Sequence, residues 1–107
     1  MDSKIPYQLY RRIITNFLDV VILMKLRKYP MSGYDVISFA HKKFKILLSP
    51  GTVYSSLYSL ERGGLVKGEN IQGKRVYTLT EHGKETVRVF SHTKDRLLGL
   101  ISNLLIG

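Results

Sequence analysis

Thr52, Tyr54, Ser55, Ser56, Tyr58 and Ser59 crowd one stretch of the sequence with hydroxyl groups. Val53, Leu57 and Leu60 interrupt them at helical spacing, so the stretch reads as a helix with one apolar face and one hydroxyl-bearing face. No nucleophile–base arrangement accompanies these hydroxyls, so the chemistry they suit is hydrogen-bonded recognition. The major groove of B-DNA admits one helix, and short polar side chains on its outer face reach base edges there. On its own such a face is more often merely solvated, so its surroundings decide the matter. Lys42 and Lys43 precede it, and Lys67, Lys74 and Arg75 follow it. All five could neutralise phosphates flanking a groove-bound helix.

Other chemistries find little support. The three histidines, His41, His82 and His92, have no metal-ligand spacing between them, and the absence of cysteine removes thiol catalysis, disulfides and thiolate metal sites. His82, in the Thr80-Glu81-His82-Gly83 turn, is expected to cap rather than catalyse. No glycine-rich phosphate loop is present. The expectation is therefore a protein that is not an enzyme, with no cofactor and no metal.

The 17 Lys and Arg against 8 Asp and Glu give a formal charge of +9, which draws polyanions at long range. An anionic membrane is the poorer candidate. The C-terminal helix mixes Lys84, Arg88, Lys94 and Arg96 with Glu81, Glu85 and Asp95, whereas a membrane-surface helix is more uniformly basic. The polar N-terminus lacks the apolar core of a secretory leader, and no apolar run approaches a membrane span. The expected location is cytoplasmic, associated with the nucleoid. The 107 residues form one small fold, and a 44% hydrophobic content is ordinary for a folded chain.

The elements that must position these groups follow from periodicity and caps. A first helix is expected from as early as Pro6 to about Lys28, with Asn16 as an internal capping candidate, Asp19 three residues on, and Pro30 beyond its end. Ser32 and Asp35 have capping-box spacing for a second helix, which the basic run Lys42, Lys43, Lys45 closes. Ser49 and Pro50 are a helix cap and a first-turn proline for the third, and Gly63-Gly64 ends it. Residues 65–71 and 75–80, joined by Gln72-Gly73, read as a hairpin. A last helix begins near Thr80 and carries Val87, Phe90, Leu97, Ile101 and Leu104 in a seven-residue pattern. Lys94 occupies one seam position, and Leu98 and Leu105 widen the stripe. The fold class is mainly α with a small β-hairpin (α+β). Residues 1–80 form a winged helix-turn-helix with an N-terminal extension, and residues 81–107 a dimerisation helix. So small a domain has no remaining core for that stripe to cover, and pairing across a two-fold axis would bury it. Ile5, Tyr7, Leu9, Tyr10 and Ile13 could pack against it.

Pro30, Ser32-Gly33-Tyr34-Asp35, Ser49-Pro50-Gly51-Thr52-Val53-Tyr54, Leu57, Leu60-Glu61, Gly64-Leu65-Val66, Tyr77-Thr78-Leu79-Thr80 and Gly83 stand in one order and spacing. In these residues the chain resembles the PadR family of winged-helix regulators, over roughly residues 17–85. The resemblance implies a homodimer that binds a pseudo-palindromic operator and represses. It implies a recognition helix over residues 49–60 with Thr52, Tyr54 and Ser55 on DNA, a wing at the hairpin tip, and pairing of the C-terminal helices. Larger members carry a multi-helix C-terminal domain; one helix after the wing marks the compact type.

The function expected is sequence-specific binding of double-stranded DNA. Ser49, Thr52, Tyr54, Ser55, Tyr58 and Ser59 present the recognition helix. Lys67, Lys74, Arg75, Lys42 and Lys43 supply the wing and basic patch. Val87, Phe90, Lys94, Leu97, Leu98, Ile101, Leu104 and Leu105 form the dimer seam. The alternative is a non-specific DNA-binding chromatin or architectural protein. The partners are double-stranded DNA and a second copy of the chain, with no membrane and an unknown small-molecule effector.

Overall fold

Tyr10, Ile14, Leu18, Ile22 and Leu26 all turn toward the core at intervals of four residues. A straight helix of 3.6 residues per turn carries such a row about 40° around its axis at each step, so the row would wander off the core. In the computed structural model, which describes residues 5–106, the helix breaks at Phe17 instead. Helix α1 (Tyr7–Asn16) ends there and α2 (Leu18–Leu26) begins. The expected single helix is therefore two, and Asn16 does not serve as a cap. Backbone bonds from Phe17 N–H to the Ile13 carbonyl and from Val21 N–H to the Phe17 carbonyl carry through the junction, and no side chain caps α2.

After α2 the chain enters a two-residue strand, β1 (Met31–Ser32), then α3 (Gly33–Phe44) and α4 (Pro50–Arg62). The capping box at α3 forms in full: Asp35 N–H donates to Ser32 Oγ at 3.1 Å, and Ser32 N–H donates to Asp35 Oδ2 at 2.9 Å. At α4, Ser49 Oγ accepts the Thr52 N–H and Pro50 sits in the first turn. The helix ends in a Schellman motif, in which Leu65 N–H returns to the Leu60 carbonyl and Gly64 N–H to that of Glu61. Gly64 takes the left-handed conformation this requires, with φ +76°.

Strands β2 (Val66–Ile71) and β3 (Lys74–Leu79) form the hairpin, and β1 pairs with β3 through Met31–Tyr77 and Ser32–Val76. The sheet thus has three strands in the order β1-β3-β2 rather than two. Two residues are too few for a strand period to show in sequence. One face of the sheet closes the core, adding Val66, Tyr77 and Leu79 to the cluster that holds Val36, Val53 and Leu57.

Helix α5 (Glu81–Ile106) is capped by Thr80, whose Oγ1 accepts the Gly83 N–H at 3.0 Å and donates to the Gly64 carbonyl. The cap is Thr80, not His82. Only Gly83 and Val87 of α5 are buried. The remainder runs outward, and at about 1.5 Å per residue the helix accounts for most of the 47 Å long axis.

Candidate nucleic-acid interface

Val53, Leu57 and Leu60 fix α4 to the core, each 5% exposed or less. This sets the opposite face outward. Tyr54, Ser55, Tyr58 and Ser59 lie on that outer side: Tyr54, Ser55, Tyr58 and Ser59 reach solvent, and Thr52 is half-buried at its front. Ser49 is exposed, but its hydroxyl is engaged with the backbone and side chain of Thr52. A side chain at Gly51 would meet no atom within 4 Å, so the front of α4 lies open. The face presents hydroxyls and phenols with no carboxylate among them.

Two aromatic rings on this face are held from below. Tyr54 packs on Gly33 at the start of α3: a Cβ there would stand 2.5 Å from the ring's Cε1 and Cζ. Tyr34, the next residue of α3, is 70% exposed. Farther along, the Arg62 guanidinium lies 5.6 Å from the centre of the Tyr58 ring. Gly33, Tyr34 and Arg62 are absent from the sequence-based set of DNA-facing residues. The sequence signals Tyr34 only as an aromatic off the apolar face of its helix.

The cations divide into two groups. Among the described residues, ion pairs engage Arg75 with Glu61, Lys84 with Glu81 and Arg88 with Glu85. The Glu85 carboxyl is held below its ordinary value, first by its hydrogen bonds from Arg88 and then by that charge. Lys42 and Lys43 in the last turn of α3, Lys67 near the hairpin base and Lys74 at its tip are exposed and belong to none of these pairs. Of the five cations expected to meet phosphate, these four stand outside the ion pairs of the described residues. A cavity of about 700 Å³ lies between the end of α2, the base of the hairpin and α5, and no residue of α4 lines it.

Arg75 stands apart from the other wing cations. Its Nη2 donates to Glu61 Oε2 at 2.8 Å, and its guanidinium lies over the Tyr77 ring. Contact with Tyr77, and then the Glu61 charge, raise its pKa further.

The expected seam separates along α5. Val87 is 3% exposed and belongs to the core of its own chain, which removes it from any surface for a partner. Phe90, Leu97 and Ile101 are half-buried, while Lys94, Leu98, Leu104 and Leu105 are exposed. Tyr7, Leu9, Ile13 and Phe17 of the N-terminal segment are also large, apolar and exposed.

The family model described as the transcriptional regulator PadR-like family matches residues 22–89, from the middle of α2 to the first turns of α5. This chain belongs to the PadR-like family of transcriptional regulators. Its fold recurs in a transcriptional regulator from Thermoplasma acidophilum, 28% identical over 90% of this chain and 97% of that one, with a TM-score of 0.70. A PadR-like regulator from Bacillus cereus shares the fold at 22% identity and a TM-score of 0.72, over 90% of this chain and 98% of that one. Bacillus subtilis PadR, solved in complex with operator DNA, is 31% identical over 68% of this chain and 45% of its own length, with a TM-score of 0.61. No curated protein matches the chain. Among the described residues, no helix is long and apolar enough to cross a membrane.

Proposed function

We propose that this PadR-like regulator is a site-specific repressor that binds double-stranded DNA as a homodimer. The observation that carries the reading is the division of α4, with three buried aliphatic residues on one side and exposed Tyr54, Ser55, Tyr58 and Ser59 on the other. Set in the major groove, that face reads bases, with Thr52 and Ser49 at its leading end. Lys42, Lys43, Lys67 and Lys74 neutralise flanking phosphates. Support for the reading also comes from Bacillus subtilis PadR, which is known in complex with operator DNA.

The outward half of α5 supports dimerisation. Residues 81–107 act as the dimerisation helix and residues 1–80 as the DNA-binding unit. Phe90, Leu97, Leu98, Ile101, Leu104 and Leu105 meet their counterparts in a second copy, flanked by the exposed apolar residues of α1. A two-fold axis there places two copies of α4 on successive major grooves of a pseudo-palindrome.

The test is a salt-titrated binding assay against a duplex that the protein selects from a random pool and a scrambled duplex of equal length. A site-specific regulator prefers the first by about 10³-fold or more. Equal and steeply salt-dependent binding to both would instead leave a basic protein that coats DNA.

A further inference from the structure

We propose that Arg75 and Glu61 form a clamp that locks the wing to the recognition helix, and that Arg75 acts as a positioning residue rather than as a phosphate contact. The proposal rests on α4 and the hairpin being the DNA-reading elements. Glu61 lies in the last turn of α4. Its Oε2 accepts two hydrogen bonds from the hairpin, one from Arg75 Nη2 at 2.8 Å and one from the backbone N–H of Gly68 at 3.2 Å. One carboxylate oxygen on the recognition helix therefore holds both strands of the wing. β2 is an outer strand of the sheet, so an N–H of its backbone depends on such a partner for satisfaction.

Gly68 makes the arrangement possible. A Cβ at that position would stand 2.7 to 2.9 Å from the Arg75 Nε, Cζ and Nη2. The guanidinium crosses the neighbouring strand through the space the glycine leaves, on its way to Glu61. The Tyr77 ring supports it from its own strand, with 5.6 Å between guanidinium carbon and ring centre. An arginine meant for phosphate needs its fork turned to solvent. This one, though 43% exposed at its side chain, commits Nη2 to Glu61, while Lys74, its neighbour at the tip, is exposed and in no ion pair among the described residues. The two adjacent cations thus have different duties.

The clamp is tested with Arg75→Gln, Glu61→Gln, their combination, and Lys74→Gln. In either clamp variant the Gly68 amide exchanges with solvent several-fold faster, because its acceptor is weakened or loosened. Preference for the selected duplex over the scrambled one falls about tenfold, or about 1.4 kcal/mol. The double variant is no worse than the poorer single one, since both break the same ion pair. The salt dependence of binding keeps its slope in Arg75→Gln. In Lys74→Gln the slope drops by about 0.9 for each phosphate no longer neutralised. A drop of that size in Arg75→Gln, or an unchanged Gly68 exchange rate in Glu61→Gln, overturns the clamp. If the wild-type protein selects no duplex, the reading as a site-specific regulator fails instead, and Gly68 exchange together with the salt slopes on any one duplex still decides the clamp.

Discussion

Tyr54 rests on Gly33, and the fit leaves no room for a methyl group between them. The first residue of α3 thereby sets the direction of an aromatic side chain on α4. Gly33 does not have a positive φ, so alanine suits its backbone, and the collision is with the ring alone. Gly33→Ala is expected to fold normally while pushing the Tyr54 ring aside. The cost to DNA binding should be about 1 kcal/mol or more, in the range of one base-reading side chain. Circular dichroism and a binding titration check both halves, and full affinity in a folded variant would detach Tyr54 from the interface.

Lys74→Ala is expected to weaken binding to selected and scrambled duplexes by the same factor. Its charge is exposed at the hairpin tip, and on the proposed reading it meets phosphate without reading sequence. A loss confined to the selected duplex would mean that Lys74 reaches a base.

Ser55→Ala should show the reverse pattern. Ser55 is exposed on the outer face of α4, and on the proposed reading its removal takes a hydrogen bond from base edges rather than a charge from the backbone. The check is a shift in the duplexes selected from a random pool, at little cost to binding of scrambled DNA.

Leu97→Asp should yield a monomer in analytical ultracentrifugation. The side chain is only half-buried within its own chain, so the fold tolerates the change, while a carboxylate facing its two-fold mate is desolvated without a partner. A persistent dimer would place the seam elsewhere.

Gly83→Ala should destabilise the fold by about 1 to 3 kcal/mol, the usual range for overpacking. A Cβ there overlaps the Leu65 carbonyl oxygen, which is backbone and cannot swing away. Denaturant unfolding measures the loss. Near-native stability would show that the start of α5 can slide along the sheet.

The ends of α3 and α4 are legible in the sequence because their causes are local. Ser32 with Asp35, Ser49 with Pro50, and Gly63-Gly64 each satisfy helix-end backbone groups within a few residues. The hairpin turn, with Gln72 and Gly73 both at positive φ, is local as well. The break at Phe17 is not legible, since it answers to a core that five spaced residues must share. Nor is β1, whose strand character comes from pairing with β3 across about 45 residues of chain. Within the site, the exposed hydroxyls of α4 follow from the periodicity of Val53, Leu57 and Leu60. The engagement of Arg75 does not, because its partner lies fourteen residues away on another element. The one visible signal is Gly68, a glycine inside a strand pattern, which marks close approach of another group. Val87 falls on the seam pattern because a seven-residue repeat does not distinguish the part of a helix lying on its own domain from the part that leaves it.

The hydroxyl of Tyr10 donates to the Phe44 carbonyl at 3.2 Å, and Arg11 Nη1 donates to the Leu47 carbonyl at 3.0 Å. Both acceptors stand where the chain passes from α3 into α4. Two neighbouring side chains on α1 therefore act as guy lines to the turn in front of the reading helix. A shift of α1, such as the proposed second subunit would cause, pulls on that turn. In the proposed homodimer, the aim of each reading helix and the spacing between two of them would then be set through this one linkage.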